Sequence, residues 1–173
     1  MNIENTLQDF LSGFIGRIEN AGGVTEIYYA FSTLYNGSKW IEHCHQNMIE
    51  IYSGAKHLIE QIENNDTTEE IWPTLDDLSF HAAIFGNYYH IFQSIFTEIL
   101  TDKGLSWNDP KEIMSNRMQS SLNHVLKNGI ASFERLMESF IKKDIIAQHK
   151  YLNEFYLVSS QLQCIAASSR LNT

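Results

Sequence analysis

The chain has 173 residues, 43% of them hydrophobic, and a formal net charge of -9 at neutral pH. A chain of this length suits one domain that buries roughly two-thirds of its unfolded surface, so it needs neither a disulfide scaffold nor a metal in order to fold. An acidic surface repels phosphate backbones and anionic lipids, which sets aside nucleic acid and membrane surfaces as partners.

Two prolines and nine glycines favour long regular elements over a loop-rich sandwich. Cys44 and Cys164 lack CxxC spacing, and a reduced cytoplasm is the simpler home for two isolated thiols. The start of the chain, MNIENTLQDF, is polar and acidic, unlike a signal or transit peptide. No apolar run approaches the ~18 residues that a spanning helix needs. The expectation is a cytoplasmic protein.

Helical periodicity runs through nearly every segment. A first helix carries Ile3, Leu7, Phe10, Leu11, Phe14 and Ile18 and stops at Gly22-Gly23. A short second one uses Val24, Ile27, Tyr28, Phe31 and Leu34, and ends at the turn pair Asn36-Gly37. Ser38 can cap a third, whose face is Ile41, Cys44, Met48, Ile51, Tyr52, Ala55, Leu58 and Ile62 before the polar break Asn64-Asn65-Asp66. Thr67 and Glu70 have capping-box spacing, and Thr74 and Asp77 repeat it after Pro73. From there a stripe runs through Leu75, Leu78, Ala82, Phe85, Tyr89, Phe92, Phe96 and Ile99.

Residues 102–109 read as a loop, with Pro110 in a first-turn position. A fifth helix follows with Ile113, Met114, Met118, Leu122, Val125, Ile130, Phe133, Leu136, Met137 and Phe140, ending at Lys142-Lys143. A last helix carries Ile145, Ile146, His149, Leu152, Phe155, Tyr156, Leu162 and Ile165. Strand-type alternation and internal repeats are absent. The pattern predicts an all-α fold of about six helices in a single domain over 1–173.

Seven histidines invite a metal reading. Glu42-x-x-His45 matches half of a carboxylate di-iron motif, but no other glutamate is followed three residues later by histidine. His43-Cys44-His45 cannot converge on one ion, because consecutive side chains on a helix diverge by ~100°. Cys44 in the core between two surface histidines is the simpler account. No HExxH, P-loop, GxGxxG or GxSxG motif is present, so hydrolytic and nucleotide chemistry have no visible machinery.

The segment Phe80 to Phe96 concentrates six aromatics: Phe80, Phe85, Tyr88, Tyr89, Phe92 and Phe96. His81 flanks the core positions Leu78, Ala82 and Phe85, and Ala82, Ala83 and Gly86 leave room beside it. An imidazole, aromatic walls and gaps in the packing are what an iron macrocycle needs. An ordinary aromatic core with a histidine on its flank has the same signature.

The order of these features resembles the phycobiliproteins. Leu34-Tyr35-Asn36-Gly37-Ser38-Lys39-Trp40-Ile41, Asn47 and Ala55-Lys56-His57-Leu58-Ile59 look like that family's first long helix passing into the next. His81-Ala82-Ala83 through Asn87-Tyr88-Tyr89 is similar to the chromophore helix. Gly129-Ile130 through Met137, and Glu154-Phe155-Tyr156 within Tyr151 to Leu162, resemble the last two helices. The resemblance implies a globin-like fold with an N-terminal helical hairpin extension. Aligned this way, Ala82 stands where the bilin-attaching cysteine belongs, and Phe85 where the bilin-holding aspartate belongs. Covalent bilin attachment and light harvesting are therefore not expected. The closest resemblance in character is to the bilin-biosynthesis-associated globins, which bind haem and accompany haem oxygenase genes.

What the resemblance implies is non-covalent haem b with His81 as the proximal iron ligand and His45 or His57 as a possible distal ligand. Phe85, Tyr88, Tyr89, Phe92 and Tyr52 would line the cofactor. The expected role is tetrapyrrole binding in haem or bilin metabolism or sensing, without turnover by this chain. Free bilin is an alternative ligand, haem oxygenase or another bilin-pathway protein is an expected partner, and a homodimer is plausible. The competing expectation is a haem-free, globin-like regulatory or interaction domain.

Overall fold

The computed structural model describes residues 38–93 and 116–171, together with Asn5, Gln8, Asp9 and Ser12, which are helical and exposed. The two stripes expected before residue 38, the loop and proline expected at 102–110, and Phe96, Ile99, Ile113 and Met114 lie outside the described residues. The described chain forms four helices and no strand: α1 (Ser38–Glu63), α2 (Thr68–Gln93), α3 (Asn116–Ile141) and α4 (Ile145–Leu171). The all-α expectation holds for these residues.

Both helical hairpins close by the same backbone device. At the end of α1 the Asp66 N–H donates to the Gln61 carbonyl at 3.0 Å and the Asn65 N–H to that of Ile62 at 3.1 Å. At the end of α3 Asp144 donates to Ser139 at 3.0 Å and Lys143 to Phe140 at 3.2 Å. This double bond is a Schellman cap, and it requires a left-handed residue at its centre. Asn65 (φ 55°) and Lys143 (φ 57°) supply it. Asparagine adopts that conformation readily, whereas lysine there costs roughly 1–2 kcal/mol.

The next helices then start at once. For α2 the Glu70 N–H donates to Thr67 Oγ1 at 3.3 Å, and the Thr67 N–H donates to Glu70 Oε2 at 2.9 Å. This is the expected capping box. For α4 the Ala147 N–H donates to Asp144 Oδ1 at 3.0 Å. The second box, at Thr74 and Asp77, is not a helix start. α2 runs through Pro73, and Thr74 is buried within it. Pro73 is exposed, so the carbonyl one turn earlier that loses its donor can turn to water.

Around a ring, α1 packs on α2 and α4, and α3 packs on α4 and α2. His149 Nε2 lies 2.9 Å from Glu63 Oε1, which brings the start of α4 to the end of α1. Both turns therefore lie at one end of an up-and-down bundle, with α1 and α3 running toward it and α2 and α4 away. Near that end a buried glutamine braces each hairpin. Gln61 Nε2 donates to the Glu70 carbonyl at 3.0 Å, and Gln148 Nε2 to the Ser139 carbonyl at 3.4 Å.

The core is aromatic at mid-height. Phe85, Phe133 and Phe155 are fully buried. Phe155 takes Phe85 edge-on at 6.4 Å between ring centroids and Phe133 at 6.3 Å, both favoured separations. A Cβ on Gly129 would lie 3.0 Å from Phe85 Cζ and 3.3 Å from Met48 Cε. α3 thus gives up a side chain where α1 and α2 press inward.

The expected faces of α1, α2 and α3 are buried wherever their side chains are described, apart from Tyr52 and Ile62, which are partly exposed. α4 differs. Its buried face is Gln148, Leu152, Phe155, Val158, Ser159, Leu162 and Ala166, whereas Ile145, Ile146 and Tyr156 are exposed. Apolar residues surround this helix, so periodicity does not single out the inner side.

Two glycines test the packing. A Cβ at Gly54 meets Leu78 Cδ1 at an ordinary 3.5 Å. Gly54→Ala should therefore raise stability by about 0.5–1 kcal/mol through helix propensity. Gly129→Ala should lower it, because overpacking at about 1–3 kcal/mol outweighs the same gain. Urea unfolding midpoints that move in the same direction for both would contradict this core.

Candidate functional site

His81 lies on α2, sheltered on its α1 side, with its side chain 19% exposed. Its Nδ1 is 3.3 Å from Oδ1 of the buried Asn47 on α1. Its Nε2 is 3.5 Å from Asp77 Oδ1, one turn earlier on α2. Phe80 stands edge-on to the imidazole at 5.3 Å but is itself 61% exposed. Both partner atoms are acceptors, so either can take an N–H of the ring, whereas an iron ligand needs one ring nitrogen with a bare lone pair. Asp77 is an exposed partner and its hold on Nε2 is worth at most about 1 kcal/mol.

The nominated distal histidines are not beside His81. Asn47 and Gly54, seven residues apart, both meet α2, through His81 and Leu78. His45 and Tyr52, also seven apart, share a different side of α1, about 200° round from Asn47. Tyr52 packs there at a tilt against Tyr156 of α4, with 5.1 Å between ring centroids. His45 therefore lies toward α4, away from His81. His57 is ten residues beyond Asn47, about 15 Å further along the axis. It is exposed, with Glu60 Oε2 at 3.9 Å.

The nominated walls are dispersed as well. Phe85 is committed to the core against Phe155 and Gly129. Tyr52 belongs to the α1–α4 seam. Tyr89 is buried, and burial together with the nearby Glu134 carboxylate raises its hydroxyl pKa. Tyr88 is partly buried against the core. The side chain of Phe92 lies outside the described residues. Beside His81, Ala82 is fully buried and Ala83 half-buried.

Cys44 is fully buried, and its thiol is pushed far above its ordinary range by that burial. It packs as a small apolar group and is not reactive. His43 is exposed and His45 half-buried on either side of it. Among the described residues no three His, Cys, Asp or Glu side chains gather so as to hold a metal ion. Among them also, no helix is long and apolar enough to cross a membrane. Asn47 is the functional neighbour that the sequence reading passed over as a partner of His81. Its place on the buried stripe, three after Cys44 and four before Ile51, marks a polar group in need of a partner.

Comparisons with protein-family models, with curated proteins and with solved structures find no match.

The half-buried His45 yields a pH dependence. Burial lowers its pKa from 6.5 in the folded chain, so the folded state binds protons less readily than the unfolded one. Its contribution is fully present above about pH 6.5 and is lost as pH falls through the lower folded value. His45→Gln should therefore lose less melting temperature than wild type between about pH 7.5 and pH 5. Parallel losses in the two proteins would contradict the assignment.

Proposed function

We propose that this chain is a helical docking domain, in which the bundle interior serves packing and the outer helix faces do the binding. One observation carries this reading. Six large apolar side chains on α2 and α4 (Trp72, Phe80, Ile145, Ile146, Tyr156 and Leu157) stand 46–84% exposed, beside a core in which Phe85 and Tyr89 are buried and against which Tyr52 and Tyr88 pack. Large apolar side chains left on the outer sides of helices supply area that a protein partner can cover. No catalytic turnover is needed for such a role.

A second reading keeps an observation of its own. If Asp77 turns outward, Asn47 Oδ1 holds the Nδ1–H of His81 and leaves Nε2 bare, as the outer partner of a haem-ligating histidine does. That reading brings with it the globin-like arrangement, haem b with His81 on the iron, and a role in haem or bilin metabolism or sensing. His81 and Asn47 alone support it; the distal histidines and aromatic walls do not.

The two are separated by colour. Haem added to the purified chain should give no Soret band above that of free haem. A stoichiometric band that disappears in His81→Ala would replace the docking reading with the haem reading.

A further inference from the structure

The outer face of α4 differs in kind from those of the other helices. The exposed positions of α1 include Lys56, Glu60 and Glu63; those of α2 include Glu69, Glu70, Asp76 and Asp77; those of α3 include Lys127, Arg135 and Glu138. On α4, from Tyr151 to Ala167, the one charged residue is Glu154, and it is held by Arg135 of α3 at 3.6 Å. Ile146, Asn153, Leu157 and Cys164 follow one another at steps of seven, four and seven residues, which keeps them within about 20° of a single line along the helix. All four are exposed, Ile146 at 84% and Leu157 at 61%. Tyr156 and Gln161 flank the line.

A surface that meets its own copy across a two-fold axis sets each residue near the axis against itself or a close neighbour. A fixed charge there meets its like. In a chain of net charge -9, like charges oppose each other across most pairings. The Tyr151–Ala167 stretch avoids this, because its exposed side chains are uncharged; the exposed Lys150 borders it. The apolar pair Trp72 and Phe80 on α2 lacks this property, because Glu69, Asp76 and Asp77 share its helix surface. Depletion of charge with exposed tyrosine and leucine also matches the composition of an interface centre.

We propose that the outer face of α4 is a homodimer interface, with two copies packed antiparallel about an axis near Leu157. Leu157 then meets the partner's Leu157, and Asn153 lies opposite the partner's Gln161, amide to amide. This inference rests on the docking reading and names its partner as a second copy of the chain.

Sedimentation equilibrium of the intact chain tests it. Wild type sediments as a dimer. Leu157→Glu places two carboxylates at the axis and weakens association about tenfold or more. Ser121→Glu, which adds the same charge on the exposed side of α3, leaves the dimer unchanged. If circular dichroism shows that Leu157→Glu has lost its helices, Gln161→Glu carries the same comparison. As a separate readout, Leu157→Cys in a Cys164→Ser background forms an intermolecular disulfide on mild oxidation. A monomeric wild type, or a dimer indifferent to both glutamate substitutions, overturns the proposal. A monomer that still shows no Soret band defeats the dimer alone. A haem band defeats the docking reading beneath it.

Discussion

Gly129 carries no side chain, and the ring of Phe85 comes within 3.0 Å of where its Cβ would be. The rest of the interior is arranged around that approach. Phe85 from α2 reaches across the bundle to Phe155 of α4, Phe155 in turn meets Phe133 of α3, and Met48 closes the layer from α1. Each helix contributes to one contiguous apolar layer, and burying one such side chain stabilises the fold by about 1.5–3 kcal/mol. Phe85, fully buried between Phe155 and the backbone at Gly129, is a poor wall for a ligand, since opening the wall means opening the core.

The turn end of the bundle is held by different physics. Two Schellman caps and two N-caps satisfy backbone groups that would otherwise end in solvent. Gln61 and Gln148 do equivalent work nine residues across their hairpins, each donating to a backbone carbonyl of the partner helix. The Glu63–His149 contact then joins one hairpin to the other. Packing and capping therefore fix the relative height of the four helices. That height sets Asn47 beside His81, and Tyr52 beside Tyr156.

How well each helix could be read from the sequence depended on how polar its outer side is. α1 and α3 carry charges outside and apolar residues inside, so the stripes Ile41 to Leu58 and Leu122 to Phe140 named their buried faces directly. α4 is apolar on both sides, and its expected stripe mixed the two: Leu152, Phe155 and Leu162 are buried, whereas Ile145, Ile146 and Tyr156 point outward. The first cap of α2 was legible because its two partners are three residues apart; the second failed because Pro73 is tolerated in an exposed turn. For the candidate site, local pattern placed His81 on the flank of the core. Its partner Asn47 is 34 residues away, and which side of α1 faces α2 is a tertiary fact. His45 and His57 shared a helix with that partner and not a direction.

Around Phe85, α2 is packed into the core, with His81 on its flank. Hydrogen–deuterium exchange in the absence and presence of haem tests this packing most directly. Backbone amides from Leu78 to Tyr89 should exchange slowly, at the rate set by unfolding of the bundle, and haem should leave that rate unchanged. Fast exchange there in the chain alone, slowed when haem is added, would contradict it.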